Sequence, residues 1–408
     1  MNKKTVDPTH VREHNLSQIV KQIRAEGPIS RASLVRATGL SATTISSIVA
    51  ELLDSGYVAE TGEGKSSGGR RPILLTFQPN HKMVIGIDLG AAHITIALTN
   101  LQGNIKVIQT QKFNASEDPQ GAIEYICKQG NILLQGNGRQ PRDVLGIGIA
   151  APAPLEGEKL DMLSPVILPQ WEGIELVPKV KQAFGLPVYI DNDANAGAIA
   201  EKWWGSGRGV SNLVYIKLGT GVGAGLIIND KIFKGTGGTA GEIGHTTINV
   251  KGPMCRCGNR GCLESYLSNL AILDETEKRL NDYPASRLHQ EDLTIENLVE
   301  AAQKGDELAV DVIVSAGKNL GIAIANLLNL VNPELIILGG DIVEAGEVFA
   351  DAVRSTAFNR SISKAANEVT IMASEFKQDS IVVGAATLAI YQAFLPTNIR
   401  RTLSYDGL

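Results

Sequence analysis

Three cysteines, Cys255, Cys257 and Cys262, fall within eight residues, and His245 lies ten residues before the first of them. Three thiolates and one imidazole make a complete tetrahedral donor set for Zn2+ of the closed, structural kind. Gly258 and Gly261 let the chain fold tightly enough for all three sulfurs to face one point. Free cysteines are also common core residues, but a cluster set among Gly, Asn and Arg does not read as core. Two carboxylates share the stretch: Glu242 precedes His245 by three residues and Glu264 follows Cys262 by two. A zinc-bound imidazole keeps its second ring nitrogen free to donate a hydrogen bond. Two carboxylates beside that donor suit a ligand covered in hydroxyls, and no reaction is needed to hold it. The alternative is that they only support the metal ligands or face solvent.

The chain that must position these residues has 408 of them, enough for two or three domains. A hydrophobic content of 43% with 20% charged residues describes a globular protein and excludes disorder. No uninterrupted apolar run approaches the ~18–20 residues of a membrane span. The N-terminal MNKKTVDPTH has no apolar core behind its lysines, so no secretory signal is expected. Four cysteines, three of them in a metal-like cluster, fit a reducing compartment, and a cytoplasmic protein is expected. Charge is uneven. Residues 1–80 hold ten Lys/Arg against seven Asp/Glu, a net of +3; with −5 for the whole chain, the rest carries −8. A mildly basic head on an acidic body is the asymmetry of a nucleic-acid-binding unit fused to another kind of domain.

In the head, Leu16, Ile19, Val20 and Ile23 repeat at helical spacing, which predicts a helix from about Pro8 to Ala25. Ser30 can cap a second helix through Ala37. Gly39 then turns the chain, and Ser41 can cap a third helix that buries Ile45, Ile48, Val49, Leu52 and Leu53. Short helix, glycine turn and second helix is helix-turn-helix spacing. Ser41, Thr43, Thr44, Ser46 and Ser47 lie on or before the third helix, where short hydroxylated side chains can approach phosphates and base edges. Tyr57–Ala59 and Ile73–Phe77 read as two strands around a glycine-rich tip carrying Lys65, Arg70 and Arg71. Such a β-ribbon wing suits a narrow minor groove; the tip would serve equally as an interdomain linker.

From about Asn80, strands and helices alternate, with glycine and acid at strand ends, which predicts an α/β body in two lobes. Strands are expected at 84–90, 144–150 and 334–343, and 187–205 reads as a strand, a turn carrying Asp191, Asn192 and Asp193, and a helix. A strand pair is expected at 213–230, joined by a glycine turn from Gly219 to Gly225. A closing helix is expected at 381–394. Three glycine features are candidate phosphate cradles: Asp88 with Gly90, the loop holding Gly219, Thr220 and Gly221, and the pair Gly339 and Gly340. None is a Walker loop or a dinucleotide fingerprint.

Taken together, GIDLG (86–90), DNDAN (191–195), LGTGVGAG (218–225), GEIGH (241–245), CRCGNRGCLES (255–265) and LGG (338–340) resemble the ROK family of repressors, open reading frames and sugar kinases. The resemblance covers about 80–400, and nearly the whole chain once the head is included. It implies a two-lobed actin/hexokinase-like (ribonuclease H-like) fold with sugar in the cleft. The expected division is a winged helix-turn-helix domain at 1–79, a first lobe at 80–190, and a second lobe at 191–408 whose closing helix returns towards the first. By position, Asn192, Asp193, Glu242, His245 and Glu264 would contact sugar, and Asp193 would be the general base if the protein were a kinase.

The chain departs from the family's kinases where Asp88-Leu89-Gly90 continues into Ala91 and Ala92. A glycine and a hydroxyl are lost beside the transferred phosphate, so the nucleotide-binding residues are expected to be vestigial. The segment SPVILPQW (164–171) also lacks the asparagine usual in the kinases. The expectation is therefore a sugar-responsive repressor, similar to xylose or N-acetylglucosamine repressors, and not an enzyme. It would bind operator DNA and a sugar effector, act as a homodimer or a dimer of dimers, and avoid membranes. The alternative is an ATP-dependent sugar kinase with an appended head. In a third reading, a phosphotransferase-system protein is the effector.

Overall fold

The structure, a computed structural model, describes residues 8–64, 71–152, 155–156, 162–163, 168–362 and 368–404. Its head begins with α1 (Pro8–Glu26), whose apolar stripe of Leu16, Ile19, Val20 and Ile23 is buried. The side chain of Ser30 accepts from the Ser33 amide and starts α2 (Arg31–Thr38); Gly39, at φ 71°, ends it. Ser41 does the same through the Thr44 amide for α3 (Ala42–Asp54). Ile45, Ile48, Val49 and Leu52 are buried as the helical period requires, while Leu53 is only half-buried, at the edge of that face. The wing is a three-stranded sheet. β1 (Ile29–Ser30) pairs with β3 (Ile73–Phe77), which pairs with β2 (Val58–Glu63). A two-residue β1 leaves no periodic signal in a sequence.

The first lobe carries β4 (Met83–Leu89), β5 (His93–Asn100), β6 (Ile105–Lys112), β7 (Val144–Ala151) and, after the short hairpin β8 (Leu155–Glu156) and β9 (Met162–Leu163), β10 (Val188–Asn192). Its sheet order is β10-β7-β4-β5-β6. One face is covered by α4 (Pro119–Gly136) and α5 (Leu176–Phe184). The second lobe is a sheet in the order β13-β12-β11-β14-β15, built from β11 (Leu213–Leu218), β12 (Val222–Ile228), β13 (Lys231–Ile232), β14 (Leu335–Gly339) and β15 (Thr370–Ala373). Helices α7 (Glu264–Leu267), α8 (Asn269–Leu280), α9 (Ile295–Gln303), α10 (Glu307–Leu330) and α11 (Glu347–Arg360) follow in the same lobe, whose core they share with the sheet. By length and composition α10 could cross a membrane, but most of its apolar window is buried in this core.

Two details differ from the sequence expectation. The glycine turn between β11 and β12 is shorter than Gly219–Gly225, because Gly223 and Gly225 lie within β12. A Cβ on Gly225 would collide with the carbonyl of Ala194, so this glycine serves helix packing and not a turn. The strand expected at 334–343 stops at Gly339, where Gly340 takes φ 124° and a short 3-10 helix, Asp341–Ala345, begins.

Between the two sheets lie α6 (Asp193–Trp203) and the closing helix, Ser380–Ala393. Their contact is close because Gly384 sits against the carbonyl of Ala196. Gly86 and Gly148 give the closing helix the same close approach to the first sheet. The far end of the closing helix belongs to the head. Ala386, Ala389, Ile390, Ala393 and Phe394 share one buried cluster with Ile23, Tyr57 and Phe77. Fully burying one such large side chain is worth about 1.5–3 kcal/mol, so head and body stabilise each other.

Candidate sugar and metal site

Helix α6 starts at the cleft. Asn192 caps it, its Oδ1 accepting from the amides of Ala194 (2.9 Å) and Asn195 (3.3 Å). Asp193 follows at the first helical position, buried at the positive end of the helix dipole. Its Oδ1 accepts from the Ala194 amide at 2.7 Å, and its Oδ2 takes a close ion pair from Lys217. Asp191 is held the same way: Lys234 reaches its Oδ2 at 2.5 Å, and Asn195 Nδ2 its Oδ1 at 2.9 Å. Where the sequence predicts a turn, β10 passes directly into α6 at Asn192–Asp193, and both acids of this junction carry a lysine from the second lobe.

The GEIGH segment lies on β12. Gly241 and Gly244 abut the carbonyls of Ala224 and Val222 so closely that neither position admits a Cβ. This seats Glu242 and His245 at the cleft. Burial raises the Glu242 pKa, with Asp193 and Glu264 adding to the rise and His245 opposing it. Glu264 begins α7, and its carboxylate accepts from the Val222 amide at 3.1 Å and from Arg256 Nε at 2.9 Å. The five residues predicted to meet sugar thus line one region.

His245 faces two ways. Its Nδ1 lies 3.7 Å from Cys255 Sγ, and its Nε2 lies 4.0 Å from Glu242. Cys257 and Cys262 sulfurs are 3.7 Å apart, and all four ligand atoms lie within 4.8 Å of one another. A tetrahedron with zinc–sulfur arms of ~2.3 Å has edges of ~3.8 Å; the two 3.7 Å separations match such an edge and the wider spread asks only for a small inward shift, so the donor set suits a tetrahedral metal. Burial pushes the Cys262 thiol up to about 12, while the Asn259 amide draws Cys257 down to about 7. A bound dication would hold all three as thiolates. Gly261 packs its Cα edge against the carbonyl of Asn249 at φ 66°, where a side chain has no room.

Protein groups engage part of each phosphate-loop candidate. Asp88 Oδ2 is 3.1 Å from His93 Nε2, and this hydrogen bond raises the imidazole pKa against the opposing effect of burial. The same ring abuts Gly90. In the loop Gly219–Gly221, the Gly219 amide bonds the Gly221 carbonyl, and the adjacent Val222 amide serves Glu264. Gly339 and Gly340 pack against Tyr215 and the Leu218 carbonyl, and neither tolerates a Cβ. Thr220 is one wall of a cavity of about 670 Å³ beside the cleft, which shares Cys255, Arg256 and Glu264 with the site but reaches neither Asp193 nor His245.

Four charged residues at the site escaped the sequence reading: Lys217, Lys234, Arg256 and His93. Lys217 had a signal, a lone charge inside the apolar strand LVYIKL. The others gave none.

On the head, Ser41, Thr43, Ser46 and Ser47 are exposed and Thr44 is half-buried. The Ser41 hydroxyl is engaged in the cap, and Ser47 accepts from Arg12 at 3.3 Å. Arg71 stands before β3, 3.8 Å from Glu63. Lys65 and Arg70 lie outside the described residues, as does Ser164–Ile167 of the SPVILPQW segment.

Residues 84–392 match the ROK family, and residues 12–59 match the winged helix-turn-helix DNA-binding family. The chain belongs to the ROK family. The xylose repressor of Caldicellulosiruptor bescii is 36% identical over 386 residues, 94% of this chain and 96% of that one. Among solved structures, a ROK family transcriptional regulator described as a homolog of the E. coli MLC protein superposes with a TM-score of 0.83. It is 30% identical and covers 98% of this chain and 100% of its own. A ROK family glucokinase from Streptomyces griseus, solved with glucose and AMPPNP, has a TM-score of 0.67 at 30% identity, over 75% of this chain and 98% of its own. The ROK body is thus common to a regulator and a kinase.

Proposed function

We propose that this ROK protein is a sugar-responsive transcriptional repressor, with operator DNA on α3 and the wing and a sugar between the lobes. The observation that carries the proposal is the course of α6. One end presents Asn192 and Asp193 to the cleft; the other ends in Trp203 and Trp204, which enclose Arg24 of the head. A single helix that touches both the cleft and the head lets a sugar that prefers one lobe arrangement bias the head. Asn192, Asp193, Glu242, His245 and Glu264 take the hydroxyls. His245, Cys255, Cys257 and Cys262 hold a structural Zn2+, which when bound fixes the His245 ring and leaves its second nitrogen for the ligand. Asp88, Gly90, Gly219, Thr220, Gly221, Gly339 and Gly340 are vestiges of a nucleotide site. Two copies would present paired recognition helices to a two-fold operator in the cytoplasm.

D-xylose is the first effector to test, given the name of the C. bescii relative. Fluorescence anisotropy on DNA from upstream of the protein's own gene, at fixed salt, should show a specific complex that one sugar alone alters. Formation of ADP with a sugar, and no specific DNA complex, would make the protein a kinase instead.

A further inference from the structure

In a kinase, the carboxylate at the Asp193 position must be free to take a proton from the sugar hydroxyl. Here it is not free. Lys217 lies on β11 with its side chain on the same face as Tyr215, towards α6, while Val214, Ile216 and Leu218 point into the opposite core. Its register partners on both sides are glycines, Gly223 on β12 and Gly339 on β14. Tyr215 fills the space beside Gly339, and Gly223 lies under Ala194 at the start of α6 with no side chain of its own, so the lysine reaches the head of α6, where it meets Asp193. Its side chain is 16% exposed.

The charge there is secure. Burial opposes it, but the field and hydrogen bond of Asp193, helped by Asp88 and Glu264, leave the Lys217 pKa above its ordinary value. An ammonium has three N–H donors. Among the described residues Asp193 is its hydrogen-bond partner, which leaves donor capacity at the cleft.

We propose that Lys217 is a sugar-contacting residue that makes the cleft bind a sugar without activating it. This rests on the sugar-binding reading above. The ammonium holds Asp193 as a fixed carboxylate and donates to the oxygen of the hydroxyl that a kinase would deprotonate. That hydroxyl then meets a cation where a kinase offers a base, and it is recognised with its proton in place. The His93–Asp88 pair lies against Gly90, beside the first phosphate-loop candidate. Lys217 is therefore a determinant of specificity, selecting sugars that carry an oxygen at that position.

The test uses calorimetric titration of the full-length, zinc-loaded protein with D-xylose, D-glucose and N-acetyl-D-glucosamine, then with the mono-deoxy analogues of whichever sugar binds. Wild type is compared with Lys217→Met and with Lys217→Gln, which keeps a donor but loses the charge. The expected result is at least a tenfold loss of affinity for the parent sugar in Lys217→Met. At one ring position, removing the hydroxyl should cost wild type heavily and the variant almost nothing, the non-additivity of a direct contact. A uniform loss across all analogues would overturn the proposal and reduce Lys217 to a structural residue, as would unchanged affinity. Lys217→Gln serves if Lys217→Met fails to fold; it should recover part of the discrimination at the same position. If wild type binds none of the sugars, the sugar-binding reading itself fails, which is distinct from a wild type that binds and a variant that shows no pattern.

Discussion

The guanidinium of Arg24 lies 4.9 Å from the ring centre of Trp203, at the far end of the helix that begins with Asp193. Trp204, Phe77 and Phe394 complete the cage at 5.6, 5.4 and 5.4 Å. Burial lowers the Arg24 pKa to about 10. The head contributes Arg24 and Phe77, α6 the Trp pair, and the end of the closing helix Phe394, so one cation ties three segments together.

Arg24→Ala should lower thermal stability by roughly 1–2 kcal/mol, the range of a desolvated cation–π contact. It should also blunt the sugar response more than it weakens operator binding. A circular-dichroism melt and anisotropy with and without sugar measure the two effects. A variant with lower stability and a full sugar response would show that the cage only glues head to body.

Cys257→Ala, or chelation of the metal, should release about one zinc per chain, measured by mass spectrometry of metals. The His245 ring then loses its anchor, and sugar affinity should fall at least tenfold. Operator affinity without sugar should be little changed, since α3 is far in sequence from the metal cluster and the core that buries it contains none of the metal ligands. Unaltered sugar binding by metal-free protein would refute a structural role for the metal.

Arg70→Ala combined with Arg71→Ala should weaken operator binding and flatten its dependence on salt. Each lost phosphate contact removes about 0.9 from the slope of log affinity against log salt. The slope is read from titrations at several salt concentrations. A slope equal to wild type would make the tip a linker.

His93 predicts a pH effect on stability. Its folded pKa is raised, first by the hydrogen bond to Asp88. The stabilisation is therefore fully present below the ordinary imidazole value of ~6.5 and is lost as pH rises through the folded value. With the ring 40% exposed, solvent screening keeps the effect under about 1 kcal/mol. Urea melts at pH 6 and pH 8.5 should show wild type losing more stability with rising pH than His93→Phe. Equal losses would mean the pair contributes nothing.

Local patterns could be read from the sequence because their partners are close along the chain. The three cysteines and His245 span 18 residues, so the ligand set is visible before any fold is known. The apolar period of α3 and the caps Ser30 and Ser41 are equally local, since a helix face repeats every three to four residues. What the sequence by itself determined was therefore the helix-turn-helix head, the alternating α/β body and the metal cluster. Only the tertiary structure decided which groups meet across long separations. Lys217 reaches Asp193 across 24 residues, and Phe394 joins the core of α1 and the wing. Gly225 looks like part of a turn until Ala194 is placed above it. A strand sequence says that a lysine is unusual; it cannot say which carboxylate neutralises it, because that depends on the register of β11 between two glycines and on the helix packed over them.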